Sequence, residues 1–411
     1  MLVSHILFIQ IYIMWFNLKD ISIKDIIKVP DLHGYVLPHA GTEFTGRIIS
    51  HTLRFRPTKK INKIIIIYYP ASAEPDVIEE KGEKYYHEYY VPWKSLESVF
   101  GTKGIRYEGI NVSALKPGEK LYINKQSLTV VSADFSHFLP FKSAIELENK
   151  AAHALMFRRV SMNTDDYIKA VDDVRSFRLL YDLIPSNWLL QWVGRTRSSG
   201  LKAVGYLSFL LRDMPKKNSK VIADGMFVTA FSKKITPREC LGEWFTQNNK
   251  WSLTIENNLI EKVLRLGKET SRLTGGTELD VPLTNYTVTY LYKDNSNNSN
   301  NSNFIRGWHG LLHNAFYLPE VFLENTFENG TWIKSNDKEW PQSTGNDIFN
   351  LSETLVSLNT KAGLTRGGAG LSKKRTVGKK KNETLNKKNK RFKGGNINAT
   401  LFNSKVLHYS I

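Results

Sequence analysis

The most constraining feature of the chain is an uninterrupted run of β-branched and aromatic residues at Ile64–Tyr69 (IIIIYY), which a proline ends. A strand without polar positions is typical of a sheet that is buried on both faces, as parallel sheets are when helices cover them. Leu128–Ser132 predicts a second strand, and Ser143–Arg158 and Gly200–Leu211 have apolar positions at helical spacing. This alternation predicts a layered α/β domain over residues 31–218.

The pattern changes after about residue 220. Met226–Phe231 and Tyr286–Tyr292 predict strands, whereas Ile255–Leu266 predicts a helix with one apolar face. The asparagine-rich stretch Asn295–Asn303 predicts a solvated loop between secondary-structure elements. Residues 219–363 are therefore expected to form a second domain of the α+β type.

A basic segment follows the second domain. Residues 361–393 contain 13 lysines and arginines and a single acid, Glu383, so they carry +12 of the chain's net charge of +18. We expect residues 364–411 to form a disordered tail that binds nucleic acid or another anionic partner without sequence specificity, and its two basic clusters also resemble a bipartite nuclear-import signal. The alternative is a solvated, lysine-rich segment encoded by an AT-rich genome, such as that of a protist or a large DNA virus. The first basic cluster consists of Lys373, Lys374, Arg375, Lys379, Lys380 and Lys381.

The N-terminus and the cysteine content restrict the cellular context. The first 16 residues are mostly apolar, but a membrane-spanning helix needs about 20 such residues, and neither a basic start nor a cleavage site accompanies them. Residues 1–30 are expected to contribute a buried element to an intracellular protein, cytoplasmic or nuclear; a membrane anchor or signal is the alternative. Cys240 is the only cysteine, which excludes an intrachain disulfide and a zinc site built from several cysteines. We expect it to be a structural thiol on a helix or turn.

Polar residues stand at the ends of the predicted strands of the first domain. His39 follows an apolar stretch, Ser72 follows the isoleucine run, and Asp134 and His137 follow the strand at Leu128–Ser132. Ligands bind at the carboxyl edge of open α/β sheets, and imidazole with carboxylate suits iron, copper or zinc. The alternative is that Asp134 caps the following helix while His137 packs at the edge of the domain.

These segments resemble a known family. Pro38–Gly46 is similar to the PHAGYxYSG segment of Memo-like proteins, Ser132–Phe141 to their SSDxSHYxPY segment, and Gln191–Arg195 with the next predicted helix to their CGxxP-plus-helix segment. The resemblance covers about residues 30–215 and implies the fold of the class III extradiol ring-cleavage dioxygenases. The resemblance also implies a metal pocket that contains His39 and is lined by Asp134 and His137.

Two of the metal-ligand positions that the resemblance implies are changed. Ala71-Ser72-Ala73 replaces a histidine-containing turn, and Val193 replaces a cysteine. We therefore expect a non-catalytic scaffold or binding protein with a degenerate metal pocket. The alternative is an iron- or copper-dependent oxidoreductase whose metal is held by His39, Asp134 and His137. Further candidate donors are Glu43, Glu74 and His87.

The second domain resembles the AMMECR family. Asp224–Phe231 is similar to its RGCIGTF segment, Ile305–Leu311 to its G-x-HGL turn, Phe316–Val321 to its TYLPEV segment and Phe349–Leu364 to its closing helix. The order of the two domains is that of AmmeMemoRadiSam proteins. Because the AMMECR family has no settled activity, the resemblance implies a fold and leaves the partners open.

Arg306 and His309 lie in the turn that resembles G-x-HGL. These two residues are candidates for an anion site, and the alternative for His309 is a structural hydrogen bond within the turn. Met226 and Phe227 replace small residues of the family's glycine-containing segment, which argues against close approach of a ligand to that backbone.

Overall fold

The computed structural model contains both helices and sheets. The residues that it describes are 15–70, 77–116, 121–124, 126–160, 170–198, 203–213, 220–293, 304–313, 315–324, 327–328, 331–332 and 400–411. Within these ranges, each helix is too short or too polar to cross a membrane. The predictions for Met1–Met14, for Asn295–Asn303 and for the closing helix at Phe349–Leu364 concern residues outside the described ones.

The described residues of the first module form ten strands, six of which make up one sheet with helices on both of its faces. Its strands are β1 (Ile27–Val29), β2 (Leu32–Leu37), β3 (Phe55–Pro57), β4 (Lys63–Tyr68), β5 (Val77–Glu80), β6 (Glu83–Tyr86), β7 (Arg106–Asn111), β8 (Ser127–Ser132), β9 (Trp188–Arg197) and β10 (Gly205–Asp213). Its helices are α1 (Thr42–Leu53), α2 (His87–Phe100), α3 (Phe141–Met156) and α4 (Val174–Leu183), with 3-10 turns at Leu18–Asp20 and Val112–Ala114. The sheet order is β7-β4-β8-β2-β10-β9, in which β7, β4, β8 and β2 are parallel.

The isoleucine run forms β4, as predicted. Ile64 and Ile66 pack in the core under α1 and α2, whereas Ile65 and Ile67 pack in the core under α3 and α4. The sheet is therefore covered on both faces, which is why the strand carries no polar side chain at these positions. The predicted strand at Leu128–Ser132 and the predicted helix at Ser143–Arg158 are also confirmed, as β8 and α3.

The helix predicted at Gly200–Leu211 is wrong, because the described part of this stretch belongs to strand β10. β10 pairs with β2 on one side and with β9 on the other. Tyr206–Leu211 is buried on both faces, and an apolar run of that length has no period that separates a strand from a helix. The first residue of the strand is Gly205, and a larger residue would not fit there because an added Cβ would lie 1.9 Å from Oε1 of Glu148.

The second module contains strands β11 (Gly225–Ser232), β12 (Pro237–Trp244), β13 (Leu283–Lys293), β14 (His309–His313), β15 (Ala315–Tyr317), β16 (Phe327–Glu328), β17 (Thr331–Trp332) and β18 (Thr400–Ser410), and helices α5 (Leu253–Glu269) and α6 (Pro319–Glu324). Six of these strands form an antiparallel sheet with the order β12-β11-β13-β18-β14-β15. The predicted strands β11 and β13 and the predicted helix α5 are confirmed. Cys240 lies in strand β12, where its buried thiol accepts a hydrogen bond of 3.2 Å from the hydroxyl of Thr229, so the prediction of a helix or turn there is wrong.

The predicted disordered tail at residues 364–411 needs correction at its end. Thr400–Ser410 forms β18, which lies between β13 and β14 in the middle of the second sheet. Phe402 and Leu407 of this strand are buried in the core of the second module, so this strand supplies core residues to that module. The basic clusters at residues 373–393 lie outside the described residues.

The last strand also joins the two modules. The ammonium group of Lys405 forms an ion pair with Asp31, which precedes β2, and Arg212 of β10 contacts the same carboxylate at 3.0 Å. Val406 packs in the core formed by β4, β8, α3 and α4. On α3, the Nε2 atom of His153 lies 2.8 Å from an Oε1 atom of Glu324 in α6. The two modules therefore share buried contacts.

Candidate metal centre

The ends of two neighbouring parallel strands bring His39 and Asp134 together. β2 and β8 are paired so that Leu37 lies opposite Ser132, and each of the two polar residues follows its strand by two positions. The amide of His39 donates a hydrogen bond of 2.9 Å to Oδ1 of Asp134. Both side chains are buried, with residue exposures of 5% and 3%. The register of the sheet thus fixes their relative position.

A third residue, Asp172, joins this pair from the loop before α4 and is its second carboxylate. Its amide donates a hydrogen bond of 3.2 Å to the carbonyl of Asp134. The next residue, Asp173, caps α4 by accepting a hydrogen bond of 2.9 Å from the amide of Ser176. Within the cluster of His39, Asp134 and Asp172, one ligand-type atom of each residue lies within 4.8 Å of the others.

The imidazole of His39 is oriented by hydrogen bonding on both sides of its ring. Nδ1 lies 3.0 Å from the hydroxyl of Ser132, while Nε2 lies 3.2 Å from Oδ2 of Asp172 and 3.9 Å from Oδ2 of Asp134. When Nδ1 carries a proton and donates it to Ser132, the lone pair of Nε2 faces two carboxylates. This arrangement needs a positive charge between them, which is either a second proton on the ring or a metal ion.

The electrostatics of the cluster favour a proton on His39 when no metal is bound. Burial by itself would lower the pKa of His39, but the carboxylates of Asp134 and Asp172 outweigh it and raise the pKa to about 10. Burial raises the pKa of Asp134 although the neighbouring imidazole opposes the change. Burial also raises the pKa of Asp173 to about 7. A metal ion would therefore have to displace a proton from His39.

A first-row divalent cation fits between His39 and Asp172 at the distances observed, whereas Asp134 lies slightly too far from the ring. With metal–ligand bonds of about 2.1 Å, the 3.2 Å separation of His39 and Asp172 gives an angle of about 100° at the metal. The 3.9 Å separation of His39 and Asp134 gives about 136°, so the Asp134 carboxylate must move slightly toward the ring. In addition, Oδ1 of Asp172 is buried without a hydrogen-bond partner in the described part of the chain. The donor set thus has room and an unused ligand atom.

The other proposed donors have different positions. The ring of His87, the first residue of α2, lies edge-on to that of His39 with centroids 5.1 Å apart, and its Nδ1 lies 3.2 Å from Oε2 of Glu88. The indole of Trp15 packs on His87 at 4.4 Å. Glu43 is exposed in the first turn of α1, and Glu74 lies outside the described residues. Of the two candidates that the structure describes, His87 borders the cluster and Glu43 does not.

His137 is exposed and is not a member of the cluster. The loop after Asp134 folds back on the start of β10, where the amide of Phe138 donates to the carbonyl of Ala203 at 2.9 Å. His137 itself forms an isolated bridge with Val204. The alternative role for Asp134 is also wrong, since α3 begins at Phe141 and has Pro140 at its N-cap.

Of the two positions at which this sequence departs from the family's metal ligands, Ser72 and Val193, the structure describes Val193. Ser72 lies outside the described residues. Val193 lies in the interior of β9, with its side chain in the core shared with α1 and α2 and its carbonyl 2.9 Å from Nε2 of His51. Val193 is therefore a core residue at this point of the sheet.

Arg306 and His309 contact the backbone of the second module. The Nε atom of Arg306 donates a hydrogen bond of 2.7 Å to the carbonyl of Phe322 in α6. The ring of His309 is buried, and its Nδ1 accepts a hydrogen bond of 3.0 Å from the amide of Ile305. These contacts agree with the alternative of a structural hydrogen bond in the turn.

Comparison with known proteins assigns neither a family nor a function to this chain. No protein-family model matches the chain, and no curated protein sequence is significantly similar to it. The resemblances to the Memo and AMMECR families remain predictions from the residues quoted above.

Proposed function

We propose that the first module binds one divalent first-row metal ion between His39, Asp134 and Asp172. The observation that carries the proposal is that a buried imidazole nitrogen faces two carboxylates. Ser132 holds the other ring nitrogen, as the outer hydrogen-bond partner does at most histidine metal sites. Three protein ligands leave positions open for water or substrate, which is characteristic of catalytic metal sites.

The donor set favours iron(II), manganese(II) or zinc over copper(I). Carboxylates suit hard divalent ions and imidazole suits iron and zinc, while the soft thiolate ligand that copper(I) prefers is missing from this set. Together with the resemblance to Memo-like proteins, this supports a metal-dependent oxidoreductase related to the class III extradiol dioxygenases. The centre would then have one histidine and two carboxylates, with Asp172 taking the place that we predicted for His137.

A second candidate is a non-catalytic scaffold in which the cluster is a buried ion pair. The specific observation in its favour is that the two carboxylates face the ring of His39 and raise its pKa, because a protonated imidazole balances them without a metal. The shared core of the two modules, which includes Val406 and Leu323, also suits a protein that presents a rigid surface to a partner. The two candidates differ in whether a proton or a metal occupies the cluster.

Metal analysis of the full-length protein distinguishes these candidates. The protein is purified, incubated with iron(II), manganese(II) or zinc, dialysed and assayed for bound metal by mass spectrometry. We expect about one metal per chain in the wild type and in the exposed-residue control His137→Asn, and a loss of at least about tenfold in affinity in Asp172→Asn. Affinity should increase with pH, because the metal competes with the proton on His39. Equal metal binding by Asp172→Asn and wild type would contradict this site.

For the second module and the basic segment, we propose an AMMECR-like fold and a non-specific nucleic-acid contact. The fold proposal rests on the TYLPEV-like segment at Phe316–Val321 and on the antiparallel sheet that it adjoins. The binding proposal rests on the +12 charge of residues 361–393. A nuclear location follows from the same charge, as an expectation.

A further inference from the structure

A buried arginine in the second module has one edge of its guanidinium group without a partner. Arg238, the second residue of β12, is 0% exposed. Its Nη1 atom donates to the carbonyls of Glu278 at 2.5 Å and Val281 at 2.8 Å, both in the segment between α5 and β13. Within the described residues, its Nε and Nη2 atoms have no hydrogen-bond partner. The loop thus anchors one end of the group and leaves its opposite edge unused.

Among the described residues, no carboxylate lies within ion-pair distance of the Arg238 guanidinium, and this includes Glu278 and Asp280 of the loop. Glu239 pairs with Arg272 at 2.5 Å, and the carboxylate of Glu278 accepts hydrogen bonds from Ser232 and Thr236. A guanidinium that is buried without a counter-charge is strongly unfavourable, whereas the same group with an anion on its free edge is satisfied. The geometry therefore calls for a negative group beside Arg238.

The two unpartnered atoms are the pair that recognises oxyanions. The N–H bonds of Nε and Nη2 point in the same direction, so they bind two oxygens of a phosphate, sulfate or carboxylate side by side. The hydroxyl of Ser271, at the start of the same loop, is also buried and without a hydrogen-bond partner among the described residues. The amide of Leu273 donates to the carbonyl of Arg238 at 3.4 Å, which holds the start of the loop against β12.

The loop itself turns through two glycines with left-handed backbone. Gly275 has a φ of 67° and Gly276 a φ of 93°, conformations that other residues adopt only with strain. The turn lets residues 271–281 fold over Arg238 from both ends. Because the covered guanidinium has no exposed surface, an anion at its free edge would have to be small and unattached, and not a group carried by a macromolecule.

We propose that Arg238 and Ser271 hold a tetrahedral oxyanion of the size of inorganic phosphate or sulfate under the loop at residues 271–281. The anion completes the bidentate edge of the guanidinium and accepts the hydroxyl proton of Ser271. This site is independent of the metal cluster in the first module, since it uses other residues of another sheet.

The first test measures the anion directly. Full-length protein is purified without phosphate or sulfate in the final buffer, denatured in acid, and assayed for released anions by ion chromatography, which also distinguishes phosphate from sulfate. Equilibrium dialysis against labelled inorganic phosphate then measures stoichiometry and affinity. We expect about one site per chain, with saturable binding. An absence of bound anion by both measurements would overturn the proposal.

Substitutions then locate the site. Arg238→Lys keeps the charge but removes the bidentate edge, and should weaken phosphate binding at least about tenfold. Ser271→Ala removes one hydrogen bond and should weaken it about fivefold, which keeps the test decisive if the arginine variant does not fold. Arg265→Lys is the matched control, because Arg265 is exposed on α5 and should bind as the wild type does. Wild-type affinity in both Arg238→Lys and Ser271→Ala would place the anion elsewhere and refute the assignment.

Discussion

The Nε2 atom of His39 lies 3.2 Å from Oδ2 of Asp172, although the two residues are 133 positions apart in the chain. The carbonyl of Asp134 creates this contact, because it accepts the hydrogen bond of the Asp172 amide while its own carboxylate binds the amide of His39. Asp134 thus positions both His39 and Asp172. The pair is stable only if a positive charge lies on the imidazole or beside it.

Stability of the metal-free protein should fall as pH rises above neutrality. The pKa of His39 is 6.5 in an unfolded chain and about 10 in the fold, so the native state holds the proton more tightly. The stabilisation is fully present below about pH 6.5 and is lost as pH approaches 10. Urea denaturation at pH 6, 8 and 10 should show a loss of a few kcal/mol in the free energy of unfolding.

His39→Gln removes the titrating group of this prediction and should flatten the dependence on pH. His137→Asn is the matched control: its exposed ring lies outside the cluster and affects the pKa of Asp134 less than His39 does, so its dependence on pH should stay close to that of the wild type. If the slope between pH 6 and 10 is the same in His39→Gln as in the wild type, the charge of His39 is not what stabilises the cluster.

Asp173→Asn should stabilise the protein above neutral pH. Asp173 caps α4 through Oδ1, but Oδ2 is buried without a hydrogen-bond partner among the described residues, and burial raises its pKa to about 7. The native state therefore loses stability relative to the unfolded chain as pH rises from about 3.8 to 7, where the carboxylate must ionise. Asparagine caps a helix as well as aspartate does and carries no charge, so the gain at pH 8 should be roughly 1–3 kcal/mol.

Asp173→Ala separates capping from charge in this experiment. It removes the charge and the cap together, and it should be about 1 kcal/mol less stable than Asp173→Asn at every pH. Thermal and urea denaturation at pH 5 and pH 8 measure both differences. A variant Asp173→Asn that is less stable than the wild type at pH 8 would show that the ionised carboxylate is favourable where it lies.

The sequence predicts part of the cluster because the end of each buried strand can be recognised from the local pattern of residues. His39 and Asp134 both follow buried parallel strands, so their convergence could be expected from the pattern alone. Asp172 could not, because it comes from a loop whose position depends on a tertiary hydrogen bond to Asp134. The only local signal was the pair of acidic residues before α4, and that pair is equally typical of a helix N-terminus. His137 was placed wrongly by analogy, because the backbone after Asp134 pairs with β10 and turns the side chain outward.

The errors in secondary structure have a related cause. β10 is a mostly apolar stretch and β18 an alternating one, and the strand character of both depends on neighbours that lie far away in the chain. β10 is flanked by β2 and β9, and β18 fills a place between β13 and β14. Lysine-rich sequence before Thr400 also suggested a tail that continued to the end, although the alternation of buried residues from Phe402 onward is that of a strand.

A buried position in the last strand should be needed for the stability of both modules. Val406→Asp places a charge in the core that β18 shares with α3 and α4, and should cost more than about 4 kcal/mol or prevent folding. Ser410→Asp introduces the same side chain at an exposed position of the same strand and should change stability by less than about 0.5 kcal/mol. Soluble yield and urea denaturation provide the measurement. Equal stability of the two variants would mean that β18 does not occupy the centre of the second sheet in solution.

The basic segment is best tested by substitution, because a chain ending at residue 364 would also lack β18. Replacing Lys379, Lys380 and Lys381 with glutamine should weaken binding to duplex DNA and lower the slope of log affinity against log salt by about 0.9 for each phosphate that the variant no longer neutralises. A matched control replaces three exposed lysines of the second module, Lys233, Lys234 and Lys262, and should bind as the wild type does. Fluorescence anisotropy at several salt concentrations measures both effects. Because each variant has three fewer positive charges, a general effect of net charge would weaken the two equally, and that result would rule out DNA binding localised in the basic segment.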